Sequence, residues 1–104
     1  MEAVLKAIAV PRRREILRLV WSRELSAGEI AARFDQVTRP AISQHLRVLE
    51  TAGLVVERRE GTHRFYRARP EKVAELRNFL EEFWDEQLQL LKRAAETAER
   101  EQGC

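Results

Sequence analysis

A predicted helix near the middle of the chain carries side chains that suit the reading of DNA. Ser43, Gln44 and Arg47 fall on one face when residues are placed at 100° per step. Glutamine can bond adenine bidentately, arginine can bond guanine in the same way, and serine suits bases or phosphates. A solvated face of this size usually carries several Glu and Lys residues, whereas this one is short, uncharged or basic. The pattern predicts a helix that enters the major groove.

A second group of candidate side chains surrounds Gly61. The segments at 54–59 and 63–69 are rich in β-branched and aromatic residues, and the turn between them predicts a two-stranded hairpin. Arginines at this tip suit the phosphates or the minor groove of DNA. The alternative is a solvated edge hairpin protected by charge, but its position directly after the helix favours contact with DNA. The arginines of the hairpin are Arg58, Arg59, Arg64 and Arg67.

Four helices are predicted ahead of this hairpin. Apolar spacing and Pro11 indicate two helices within residues 2–22. Ser26 and Glu29 form a capping box that opens a third helix over residues 27–34. After a turn, Thr38 is expected to cap the fourth helix, which ends at Gly53. Residues 26–53 are therefore predicted to form a helix-turn-helix, and residues 54–69 a wing.

One long helix is predicted over residues 71–99. Its apolar side chains cover about half of the circumference, although docking onto one core needs a stripe only about 100° wide. The excess apolar face needs a second partner, most simply the same helix of another copy. The expected fold is mainly α with a two-stranded hairpin, in the order α-α-α-α-β-β-α, and dimeric.

Composition limits the function classes. The 104 residues suggest a single domain over 1–104, and 44% hydrophobic with 35% charged residues indicates a helix-rich globular protein. Residues 1–70 hold 14 basic and 8 acidic side chains, net +6, and residues 71–104 hold 5 and 9, net −4. Although an ordinary solvated surface would also explain it, this asymmetry suggests a polyanionic partner for the basic part. With no apolar run of membrane-spanning length and no basic leader, the chain is expected to be cytoplasmic and not to contact membranes.

The ordered motifs resemble those of the ArsR/SmtB family of winged-helix repressors. They include Glu15-Ile16-Leu17, Leu25-Ser26-Ala27, Ser43-Gln44-His45-Leu46-Arg47, Ala52-Gly53-Leu54-Val55 and Phe65-Tyr66-Arg67. The resemblance implies a homodimer that joins through its first and last helices, binds a palindromic DNA operator and represses its gene. On this basis the expected dimer contacts are Val4, Leu5, Ile8, Leu80, Phe83, Trp84 and Leu91. The expected DNA contacts are Thr38, Arg39, Pro40, Ser43, Gln44, Arg47, Arg59 and Arg64.

The chain departs from the metal-sensing members that it resembles. Their Cys-x-Cys pair corresponds to Ser26 and Gly28 here, and neither supplies a thiolate. The segment after position 70 has no histidine, and His45 and His63 stand on different predicted elements. The lone cysteine, Cys104, permits no intramolecular disulfide. An unused thiol is expected there, and an intersubunit disulfide is the alternative. We therefore expect no metal site and no cofactor, and the effector, if the protein has one, stays unknown.

A DNA-binding repressor has three alternatives. A metal- or ligand-responsive sensor of the same family would need an effector site. A protein-interaction module would favour exposed aromatics and Met on the fourth helix, where Ser43, Gln44 and Arg47 stand instead. An enzyme is not expected, because the chain has no phosphate loop, nucleophile motif or metal-and-base constellation, and hence no catalytic residues.

Overall fold

The computed structural model describes residues 1–102, so Cys104 lies outside the described residues. This part of the chain contains five helices and three strands. Their order is α1 (Glu2–Ala9), α2 (Pro11–Leu19), β1 (Leu25–Ser26), α3 (Ala27–Ala31), α4 (Arg39–Thr51), β2 (Val55–Glu60), β3 (His63–Ala68) and α5 (Pro70–Gln102).

The sheet differs from the predicted two-stranded hairpin. It is antiparallel with three strands in the order β1-β3-β2, and in β1 Leu25 pairs with Tyr66 while Ser26 pairs with Phe65. A two-residue strand has no periodicity of its own, and its partner lies far along the chain. The order α-α-α-α-β-β-α was therefore wrong by one strand, which joins the start of α3 to the hairpin.

The third helix is shorter than predicted. It ends at Ala31 rather than Phe34, with Ala32 as the C-cap. Beyond this cap the backbone N–H groups bond three residues back, from Arg33 to Ile30 at 3.0 Å and from Phe34 to Ala31 at 3.1 Å. Such tight turns commonly finish a helix. The reciprocal capping box of Ser26 and Glu29 is present at the start, as the sequence predicts.

The core of residues 1–73 is apolar, and every helix and strand from α1 to β3 contributes to it. On α4, the inward face is Ile42, Leu46 and Leu49, all fully buried. Burial of this face fixes the rotation of α4 about its axis, since a helix can present only the opposite face to solvent. Other fully buried side chains are Ile16, Val20, Ile30 and Leu54.

The basic residues after α1 have a structural role. Arg13 donates from Nε to the carbonyl of Ala7 at 2.7 Å, and Arg14 donates from Nη1 to the carbonyl of Ile8 at 2.6 Å. These bonds satisfy carbonyls that a helix C-terminus leaves without intrahelical partners. Val4, on the same helix, is only 3% exposed within its own chain. The contact of Val4 with a second copy stays a prediction.

The chain divides into two units, and the boundary falls inside α5 after Val73. Pro70 begins this helix, where its missing N–H costs no intrahelical bond. From Arg77 to Glu101 every side chain is exposed, including the predicted dimer contacts Leu80, Phe83, Trp84 and Leu91. Over residues 1–102, none of the helices is both long enough and apolar enough to span a membrane.

Candidate nucleic-acid interface

The start of α4 is fixed by a side-chain cap. Thr38 has an extended backbone, and its hydroxyl accepts a hydrogen bond from the N–H of Ala41 at 3.2 Å. The turn before it contains Gln36 in the left-handed region, with φ of 66°. Pro40 lies in the first turn, where no intrahelical donor is required. The cap and the proline together define where the exposed face of α4 begins.

The exposed face of α4 holds the predicted base-reading residues. Ser43, Gln44 and Arg47 are all exposed, opposite the buried inward face. Within residues 1–102, the side chains of Gln44 and Arg47 make no hydrogen bond or ion pair. They are therefore available to an external ligand without breaking an internal contact. Arg39 and Pro40, at the start of the same helix, are exposed as well.

The pairing of β2 with β3 separates the hairpin arginines into two faces. Arg59 lies opposite Arg64, on the face that also carries Glu57 and Tyr66. Arg58 lies opposite Phe65 on the other face, because successive side chains of a strand alternate. Arg67 shares that second face. The four arginines thus do not form the single cluster that the sequence suggested.

Arg58 is held by contacts within the protein. Its Nε donates to Glu24 at 2.7 Å and its Nη1 donates to Glu60 at 3.0 Å, while the guanidinium lies 5.0 Å from the centre of the Phe65 ring. Hydrogen bonds to these two carboxylates raise the pKa of Arg58 above its ordinary value. Because Glu24 precedes β1, this arginine fastens the hairpin to the segment before the helix-turn-helix.

Arg59 and Arg64 share one carboxylate. Nε of Arg59 donates to Oε1 of Glu57 at 2.8 Å, and Nε of Arg64 lies 3.7 Å from the same oxygen. The hydrogen bond to Glu57 raises the pKa of Arg59 above its ordinary value. The pKa of the nearby Tyr66 is also raised, first by burial and then by the negative charge of Glu57.

A cleft of about 900 Å³ separates the exposed face of α4 from this face of the hairpin. Four of the predicted DNA contacts line this cleft, namely Arg39, Ser43, Arg47 and Arg64. The other four, Thr38, Pro40, Gln44 and Arg59, are not part of its lining. The sequence analysis missed the acidic residues of this lining, Glu29, Glu50 and Glu57. The alternation of side chains along β2 could have placed Glu57 on the same face as Arg59. The full lining is Ser26, Ala27, Gly28, Glu29, Arg39, Ser43, Arg47, Glu50, Thr51, Glu57, Thr62, His63, Arg64 and Tyr66.

Ser26 and Gly28, which correspond to the Cys-x-Cys pair of metal-sensing proteins, take part in local structure here. The hydroxyl of Ser26 accepts the N–H of Glu29 at 3.1 Å. A Cβ at Gly28 would lie 3.6 Å from the guanidinium carbon of Arg39, so that side chain occupies the space beside the glycine. His45 is half-buried, and burial, followed by the charges of Arg13 and Arg12, lowers its pKa. Among residues 1–102, no three His, Cys, Asp or Glu side chains are grouped suitably for a metal ion.

Comparison with known proteins identifies relatives of this arrangement. Residues 10–56 match the model of the bacterial regulatory protein, arsR family. The chain is 46% identical over 79 residues to the HTH-type transcriptional regulator Rv2034 of Mycobacterium tuberculosis, covering 76% of this chain and 73% of that protein. It is 39% identical over 66 residues to the transcriptional repressor SdpR of Bacillus subtilis, covering 64% and 72%.

A solved structure shows the same architecture. It is the homodimeric winged helix-turn-helix DNA-binding domain of Mb0332 from Mycobacterium bovis, with a TM-score of 0.65 and 36% identity. The match covers 82% of this chain and 78% of that one. Helix-turn-helix and hairpin are therefore arranged here as in a domain that binds DNA.

Proposed function

Because this chain belongs to the ArsR family of bacterial regulatory proteins and is a DNA-binding transcriptional regulator rather than an enzyme, we propose that it represses transcription as a homodimer on a palindromic operator. The name of SdpR as a repressor and the homodimeric state of the Mb0332 domain support this proposal.

The exposed face of α4 enters the major groove in this proposal. The main support is the contrast between the two faces of α4. Ile42 and Leu46 on one face are fully buried, whereas Gln44 and Arg47 on the other face are exposed and make no hydrogen bond or ion pair within residues 1–102. Glutamine and arginine side chains can each form two hydrogen bonds to a base edge, and here neither has a partner within the described residues. Thr38, Arg39, Pro40 and Ser43 lie beside them at the start of the helix, where they meet bases or the adjoining phosphates.

The hairpin acts as the wing. Arg64 lines the cleft beside α4, and Arg59 is its cross-strand neighbour. Guanidinium groups at such a position attract phosphates by a sequence-independent term that weakens as salt rises. The base contacts therefore come from α4, and the wing adds general affinity and orientation.

The second copy of the chain covers the exposed apolar side of α5. Trp84 is 62% exposed and Leu91 is 66% exposed, which is unusual for such large apolar side chains in an isolated protomer. Leu80 and Phe83 share this helix, and Leu5 and Ile8 of α1, which are half-buried within their own chain, are further dimer contacts in this proposal. Residues 1–104 then act as one domain, with residues 71–99 for dimerisation. A symmetric dimer presents two α4 helices to half-sites about 34–36 Å apart.

Operator binding in this proposal needs no transition metal. Ser26 is engaged in the capping box, and the exposed Arg39 side chain lies next to Gly28. The test is a fluorescence anisotropy titration of the purified protein on DNA from upstream of its own gene and on a scrambled duplex. We expect preference for the upstream DNA that is unchanged by a chelator or by added zinc. Equal affinity for both duplexes would contradict sequence-specific repression, and release by sub-stoichiometric zinc would contradict metal independence.

A further inference from the structure

The lining of the cleft that faces DNA in the proposed function includes three acidic side chains, Glu29, Glu50 and Glu57. The Glu57 side chain is 15% exposed, far less than those of its partners Arg59 at 68% and Arg64 at 57%. A carboxylate on a surface that receives a polyanion opposes binding through like-charge repulsion. Solubility alone therefore does not explain why a carboxylate stands at position 57.

Glu57 offsets a repulsion within the hairpin. Arg59 and Arg64 are direct cross-strand partners, and like charges in that arrangement destabilise a sheet. The Oε1 atom of Glu57 accepts from Arg59 at 2.8 Å and lies 3.7 Å from Nε of Arg64. The three side chains together carry one net positive charge instead of two.

The same contact occupies a donor that phosphate would use. Nε of Arg59 points its N–H at Glu57, so a phosphate that takes this donor must displace the carboxylate. Guanidinium recognises carboxylate and phosphate through the same fork of donors. Carboxylate and DNA therefore compete for one group.

We propose that Glu57 is a built-in competitor of DNA phosphate, which holds the two wing arginines on one face of the hairpin and restrains their attraction for DNA of any sequence. This inference rests on the proposed contact of the wing with phosphates. Glu57 is thus a positioning residue that sets how strongly the wing binds, while the choice of sequence stays with α4.

The test compares Glu57→Gln with Glu60→Gln. Both substitutions remove one negative charge from the hairpin, but Glu60 pairs with Arg58 on the opposite face. Anisotropy titrations use the dimeric protein on operator and on scrambled duplexes. Because exposed ion pairs contribute about 0.2–1 kcal/mol, we expect Glu57→Gln to tighten binding to both duplexes by up to roughly fivefold per protomer. The gain from Glu60→Gln should be clearly smaller.

A double-mutant cycle identifies the cause. When Arg59 and Arg64 are both replaced by Ala, Glu57→Gln should no longer tighten binding, because the groups that it released are gone. Equal gains from Glu57→Gln and Glu60→Gln would overturn the proposal in favour of a net-charge effect. Weaker DNA binding together with a lower Tm in Glu57→Gln would also overturn it, because that pattern is typical of a structural ion pair.

A measurement on the unmodified chain covers the case in which Glu57→Gln fails to fold. The Arg59 Nε–H resonance should shift when a scrambled duplex is added, because its carboxylate partner is replaced by phosphate. An unchanged resonance in the DNA complex would overturn the proposal. A failure of the proposed wing contact can be told apart from a failure of this inference. If the wing does not contact DNA, Arg64→Ala leaves DNA binding unchanged whether position 57 is Glu or Gln.

Discussion

The hydroxyl of Thr38 accepts a hydrogen bond from the backbone N–H of Ala41 at 3.2 Å, so a residue assigned to the DNA surface also begins the helix. Thr38→Ala removes this cap, and loss of an N-cap typically lowers the free energy of unfolding by about 0.5–2 kcal/mol. Thr38→Ser should retain most of the stability because it keeps the hydroxyl. Urea unfolding of the three proteins measures this, and an unchanged midpoint for Thr38→Ala would contradict the cap.

Gln44 is expected to discriminate between DNA sequences. Removal of a bidentate bond to a base costs about 1–3 kcal/mol of discrimination, so Gln44→Ala should weaken operator binding far more than binding to scrambled DNA. Gln89→Ala is the matched control, because Gln89 is an exposed glutamine of α5 on the side away from its apolar arc. Anisotropy titrations on both duplexes give the ratio. If Gln44→Ala weakened binding equally on both, α4 would not read bases through this residue.

Arg64 is expected to contribute affinity without sequence preference. Arg64→Ala should weaken binding to operator and scrambled DNA to a similar degree. The slope of log K against log salt should fall by roughly one for each phosphate that the protein no longer neutralises, or about two in a symmetric dimer. Arg67→Ala is the control, since Arg67 lies on the opposite face of the same strand. An identical effect of the two substitutions would show that only net charge matters.

The apolar side of α5 is expected to hold the dimer. Leu80→Glu combined with Leu91→Glu places charges on that side and should give monomers in sedimentation velocity at micromolar concentration. Gln89→Glu, on the opposite side of the helix, should leave the dimer intact. A well-folded monomer of the unmodified chain at that concentration would refute the dimer assignment.

His45 is expected to make the protein less stable in mild acid. Burial and the charges of Arg13 and Arg12 lower its pKa in the folded state, so its proton binds the unfolded chain more strongly. The associated stability is present above the ordinary histidine value of 6.5 and declines as the pH falls below it towards the folded-state pKa. Between pH 7.5 and 5.5, His45→Gln should flatten the decline in urea midpoint.

The same decline in His45→Gln as in the unmodified chain would contradict the assignment of this acid sensitivity to His45.

The sequence by itself determined the features that depend on local physics. Capping boxes, proline positions and apolar spacing depend on residues within a few positions of one another, so Ser26–Glu29, Thr38 and the inward face of α4 could be predicted. The predicted exposure of Gln44 and Arg47 followed directly, because a helix that buries one face must present the other.

Only the tertiary structure decided the contacts between distant segments. The strand at Leu25–Ser26 is defined by its pairing with β3, which no local pattern encodes. The register of the hairpin placed Arg59 opposite Arg64, and the link from Arg58 to Glu24 joins residues 34 positions apart in the chain. Val4 was expected at the dimer contact from the family resemblance, and only the tertiary structure shows that it is 3% exposed within its own chain. Apolar spacing shows that a side chain will be covered, but the fold decides what covers it.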